Sequence, residues 1–246
     1  MHKIIPELLS GWVEDISVCR MIVACGVFSV VEVMNAARAM AEGKTVEHDG
    51  SIKQHTHGWG CLWINEGQIR TLRGGGSFIE ALSTINLSDI DTDFLAVHVR
   101  HATLSKNRGV EFAHPLRWES GTATWYMMHN GFLSTVYRCL GLPASNFDSA
   151  EYLEYIVGSL DSGCISQEYL MSKLTSLSPG GSSGNFFLVT QGKAWAWQWF
   201  SENTSCPAYF TMRHFKNKKV EYVASEVIPF LADESEWRSM QNGEFI

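Results

Sequence analysis

The chain has 246 residues, 45% of them hydrophobic and 18% charged, enough to bury a core and too apolar for a disordered chain. Its net charge of -7 excludes unaided binding to nucleic acid or acidic membranes, which takes a basic footprint. No apolar run reaches the roughly 18 residues needed to span a bilayer, and six cysteines at irregular spacing suit a reducing cytoplasm, as free thiols, better than a disulfide framework.

"MHKIIPELLSGWVEDISV" contains Pro6, Glu7, Glu14 and Asp15 and lacks the apolar core of an export signal. Residues 19–28 read as a buried strand. "VVEVMNAARAMAEG" follows with apolar residues at helical spacing and Gly43 as its stop. "WGCLWINEGQIRTLRGGG" predicts a hairpin turning at Glu66-Gly67. "DFLAVHVRHAT" and "ATWYMMHNG" predict strands. "DSAEYLEYIVGSL" predicts a helix opened by an Asp148-x-x-Glu151 capping box, and "EYLMSKLTSLS" a second amphipathic helix. "NFFLVTQGKAWAWQWF", "AYFTMRHF" and "VEYVASEVI" predict further strands. Strands and helices come in blocks, which argues for an α+β layered domain with antiparallel sheets.

Cys19 and Cys25 stand in the first strand, where packing asks for neither. A cysteine attacks only as a thiolate, and neither has a histidine close in sequence. One solution needs no histidine. A chain that begins at the cysteine can use its own α-amine, of pKa about 7.7–8.0, as the base. That requires residues 1–18 to be removed as a leader.

"CRMIVACG" resembles the start of the stand-alone class II glutamine amidotransferases, whose mature chains begin Cys-Arg. The resemblance continues in order through "HTHGWG", "HVRHAT", "AHPL", "MMHNGF", "FDSAEYL", a Gly-Asn-Phe-Phe strand and "VASEVI", covering nearly everything from Cys19 to Ile228. It implies the four-layer αββα sandwich of the N-terminal nucleophile hydrolases, with residues 19–246 as one amidotransferase domain. It also implies a reaction. Cys19 would attack the side-chain amide of glutamine or a γ-glutamyl compound, forming a thioester and releasing ammonia or an amine. Asn130 and Gly131 match the oxyanion hole. Arg100 matches the arginine that takes the α-carboxylate, Asp148 the carboxylate that holds the α-ammonium, and Thr103 lies in the same loop. No cofactor or metal is implied, and the ammonia acceptor would be a separate synthase subunit, if there is one.

Two features depart from the family. His57 replaces a usual acidic residue in "HTHGWG", and the leader is longer than the single Met most relatives lose. Other readings compete. "CGVF" makes Cys25 the rival nucleophile, and either cysteine could be simple strand packing. Asp148 reads as an N-cap, Asn130 before Gly131 as a turn. His55, His57 and Cys61, with His48 upstream, suggest a metal, hence a non-catalytic or metal-binding relative, but match no usual zinc spacing. "GGG" at Gly74–Gly76 lacks the Lys-Ser or Lys-Thr of a phosphate loop, and "AWAWQWF" reads as a sheet position before a base-stacking platform.

Overall fold

The computed structural model describes residues 18–48, 51–102, 107–160, 163–177, 182–204 and 206–246. Residues 1–17 of the expected 1–18 leader, and Thr103, therefore lie outside the described residues.

Strand β1, Val18–Gly26, leads through the Ser29 cap into helix α1, Val30–Glu42, which Gly43 ends in the left-handed conformation at φ 73°. β2, Trp59–Asn65, and β3, Gln68–Gly74, form the expected hairpin. Its turn has φ 50° at Glu66 and 74° at Gly67, the double positive that a tight two-residue hairpin needs. A short helix α2, Phe78–Leu82, precedes β4, Phe94–His101. β5, Leu116–Ser120, and β6, Ala123–Asn130, are followed by α3, Val136–Cys139, α4, Asp148–Val157, and α5, Gln167–Thr175. The chain closes with β7, Asn185–Thr190, β8, Lys193–Gln198, helical turn α6, Pro207–Phe210, β9, Arg213–Lys216, β10, Val220–Ala224, β11, Arg238–Ser239, and β12, Glu244–Phe245.

Two antiparallel sheets result. The first runs β11-β9-β10-β1-β4-β2-β3, the second β12-β8-β7-β6-β5. Three apolar clusters show how they stack. One lies between the first sheet and α1, built on Ile22, Met34, Met40 and Phe78. A second, with Met21, Leu62, Met128 and Phe187, lies between the sheets. The third joins the second sheet to α4 and α5 through Trp125, Tyr152, Leu170 and Trp197. The order is helix, sheet, sheet, helix: the four-layer αββα sandwich.

One expected strand is not one. In "AYFTMRHF" only Arg213–Lys216 is extended. Pro207 at the start of α6 fixes a helical φ, and the turn buries Tyr209, against Arg20 of β1, and Phe210. The tryptophans of "AWAWQWF" serve the fold. Trp197 is fully buried in the third cluster, and Trp195 stacks on Trp125 at 5.9 Å.

Candidate active site

β1 and β4 pair with Cys19 opposite Arg100. The backbone N–H and C=O of Arg100 turn the other way, to the Gly58 carbonyl and the His57 N–H, each at 2.8 Å. Cys19 and Arg100 are therefore a non-hydrogen-bonded pair, the close kind, with side chains on one face and Cβ atoms roughly 4.5–5.5 Å apart. Both are buried. Arg100 Nη1 donates to the Asn107 carbonyl at 2.7 Å, and its guanidinium lies 5.9 Å from the Phe147 ring centre. The ion pairs among the described residues do not include it. A buried arginine without a carboxylate is a ready anion site.

Asn130 ends β6 on the facing sheet. Its Oδ1 accepts the Cys19 N–H at 3.0 Å, which fixes the orientation of its amide. Its Nδ2 is buried with no hydrogen-bond partner among the described residues. Buried donors are rarely left unmatched, so this one awaits an acceptor. Gly131 follows where the chain passes so close to Ser183 that a Cβ would strike its carbonyl oxygen and crowd the ring of His129. His129 is held by the Ser149 hydroxyl at 2.9 Å and the Ser183 carbonyl at 3.2 Å. The second sheet thus pins this corner from behind.

Asp148 is not the helix cap that its spacing predicts. It is the first residue of α4, and Phe147 occupies the cap. Glu151 supplies the reciprocal half of the box, accepting from the N–H of Asn146 at 2.7 Å and of Phe147 at 3.2 Å. Asp148 is thereby free to bond elsewhere. Its Oδ2 accepts the Leu133 N–H at 2.9 Å, tying α4 to the loop after Gly131. Burial holds its carboxyl above the usual range, with His129 opposing. Its charge is also felt at Cys19, whose thiol burial pushes up to about 11, against Arg100 and Arg20.

His57 packs against His101 with the rings tilted 47° and their centres 4.4 Å apart, and accepts the Ala102 N–H through Nδ1 at 3.2 Å. That acceptor role is one an acidic side chain would also fill. Among the described residues, no three His, Cys, Asp or Glu side chains gather as a metal ion would need. His55 is buried 3.3 Å from the Tyr209 hydroxyl, Cys61 lies in the α1-side core, and His57 faces the Arg100 loop. Cys25 is exposed, six residues along β1 from Cys19, or about 20 Å away at strand rise. It pairs with Phe94 and Glu221 and lines a cleft with Val23, Asp93, Phe187 and Val223, whereas Cys19 pairs with Arg100 and bonds Asn130.

The comparisons agree with this frame. No family model and no curated protein sequence matches the chain. Among solved structures, the glutamine phosphoribosylpyrophosphate amidotransferase from B. subtilis superposes with a TM-score of 0.61 at 16% identity, over 91% of this chain and 49% of that one. A structure described as the allosteric regulatory enzyme of purine biosynthesis gives 0.62 at 20%, over 92% and 46%. The chain has the fold of the class II glutamine amidotransferases. A class-II glutamine aminotransferase domain protein from Silicibacter pomeroyi, at 0.55 and 13% identity, matches over 92% of this chain and 93% of its own. The amidotransferase-fold chain thus spans about half the length of the first two structures and nearly all of the third.

Reading residues one by one missed how the amidotransferase fold surrounds Arg20. It is fully buried and paired with Glu226, a residue that "VASEVI" places 206 positions away. A charged residue inside an apolar strand was the available signal.

Proposed function

We propose that this chain hydrolyses the side-chain amide of glutamine or of a γ-glutamyl compound through a Cys19 thioester, once residues 1–18 have been removed. One observation carries the reading. Asn130 commits its oxygen to the nitrogen of Cys19 and leaves a buried amide nitrogen without a partner among the described residues, as a donor kept for an oxyanion beside the thiol would be.

The steps balance with the groups present. The α-amine of Cys19 takes the thiol proton as sulfur bonds to the amide carbon. Negative charge moves onto the amide oxygen, met by Asn130 Nδ2 and the Gly131 N–H. The amine returns the proton to the leaving nitrogen as the C–N bond breaks, releasing ammonia or an amine. Water, deprotonated by the same amine, then cleaves the thioester to the free γ-carboxylate and restores the thiol. Arg100 takes the substrate α-carboxylate, Thr103 assists in its loop, and Asp148 takes the α-ammonium. The released ammonia passes to a separate synthase subunit or to solvent, and the setting is cytoplasmic.

The test is ammonia release from glutamine by purified protein whose N-terminus is read from its intact mass. A thiol-reactive glutamine analogue should leave one adduct, on Cys19. Protein that begins at Cys19, takes no adduct and releases neither ammonia nor amine is a non-catalytic relative.

A further inference from the structure

Alternation along β1 sends Cys19 and Met21 toward the second sheet and Arg20, Ile22 and Ala24 toward the α1 side. Arg20, itself fully buried, is thereby placed in a polar cluster. Its Nε donates to Glu226 Oε1 at 2.7 Å, and its guanidinium lies 3.6 Å over the Tyr209 ring. The Thr45 hydroxyl donates to the second Glu226 oxygen, and His48 packs edge-on against Tyr209 at 4.4 Å. The Tyr209 hydroxyl in turn meets His55 at 3.3 Å. Burying an arginine costs more than burying an apolar residue of its size, and well-packed apolar replacements are often neutral or better. Stability alone is a poor reason for this cluster.

Its output is a bond to the nucleophile. The β1–β10 ladder begins only at Ile22–Ala224, with the Ser225 N–H reaching the Met21 carbonyl. The N–H and C=O of Cys19 face that same side and lie past its end. Asn130 takes the N–H at 3.0 Å, and Arg20 Nη1 donates to the C=O at 3.1 Å. Side chains thus hold the backbone of Cys19 where strand pairing would otherwise do so.

We propose that Arg20 is a positioning residue for Cys19: it clamps the Cys19 carbonyl and sets a fixed positive charge one residue from the thiol. This rests on Cys19 being the nucleophile. Arg100 and His101 of β4, Asp148 of α4 and Tyr209 of α6 also act on Cys19, while Glu226, His48, His55 and Tyr209 surround Arg20. The charge favours the thiolate and disfavours a protonated α-amine.

The test compares wild type, Arg20→Lys, and Arg20→Met combined with Glu226→Gln, so that no carboxylate is stranded, each shown by intact mass to begin at Cys19. Two quantities are read: kcat and KM for glutamine, and the pH profile of Cys19 alkylation by iodoacetamide, mapped by peptide mass. The double variant should lose about 10–100-fold in kcat with KM changed less than about threefold, as a misplaced nucleophile does. Its alkylation midpoint should rise. Arg20→Lys keeps the charge without the fork, so its midpoint should stay while kcat falls less. An unchanged alkylation profile in the folded double variant overturns the proposal, whatever happens to kcat. If the double variant does not fold, Arg20→Lys decides, and wild-type kcat there overturns it. If wild type hydrolyses no amide, the proposed function fails, while the alkylation comparison still decides the role of Arg20.

Discussion

The side-chain oxygen of Asn130 lies 3.0 Å from the backbone nitrogen of Cys19, although 111 residues separate them. The bond ties the two sheets together at one corner and leaves the Asn130 amide nitrogen buried without a partner among the described residues. Asn130→Ala should therefore cut kcat by roughly 10²–10³ with little change in KM, because the donor acts once charge develops on the amide oxygen. Steady-state kinetics on glutamine checks this. Near-normal turnover returns Asn130 to a turn.

Cys19→Ala should abolish amide hydrolysis and Cys25→Ala should retain most of it. Both sit on β1, but only Cys19 has Asn130 and Arg100 beside it. Comparing ammonia release from the two folded variants decides, and activity lost only in Cys25→Ala reverses the assignment.

For Arg100→Lys, KM should rise strongly with a smaller effect on kcat. The guanidinium fork would grip the α-carboxylate equally before and during reaction, so its loss removes uniform binding. The native fork already spends one nitrogen on Asn107, and an ammonium can hardly hold both partners. Unchanged KM would make Arg100 structural.

Activity should depend on release of the leader and rise with pH. While Val18 is attached, the Cys19 nitrogen is an amide that donates to Asn130 and cannot accept a proton. The thiol, pushed up to about 11 by burial, then stays protonated at neutral pH. Cleavage creates an amine that is a base above about pH 7.7–8.0, so kcat/KM should climb as that amine loses its proton. The check compares full-length protein, verified uncleaved by mass, with a chain started at Met-Cys19 whose methionine has been removed. Equal rates would end the N-terminal nucleophile mechanism.

Acid should destabilise the fold through His98. Its ring, buried against His114 at 4.3 Å, is held neutral down to about 3 by loss of solvation. The folded-state value lies below the unfolded value near 6.5. The unfolded chain thus binds the extra proton between those limits, and stability is full above pH 6.5 and lost as pH falls toward 3. One such group gives a slope of about 1.4 kcal/mol per pH unit. Urea midpoints at pH 7 and pH 5 should differ more in wild type than in His98→Gln, and equal differences would remove His98 from the account.

Local chemistry made several things readable before any folding. The period of α1, its Gly43 stop and the Glu66-Gly67 turn are short-range consequences of residue type, and all three stand in the structure. The block order of strands and helices was enough for layered α+β architecture. The motif order carried the resemblance to the amidotransferases, whose fold the chain has. Tertiary structure decided the rest, because each remaining question turned on atoms distant in sequence. Cys19 parts from Cys25 only when β6 brings Asn130 to one end of β1. Asp148 lies inside α4, behind the Phe147 cap, and its carboxylate takes the Leu133 N–H from a loop fifteen residues back. Arg20 becomes a partner of Cys19 only when β10 stops at Ala224, leaving a carbonyl with no strand to bond it. Periodicity reports which face a residue takes. Where a ladder ends, and which side chain fills the gap, is settled by the packing of the whole sandwich.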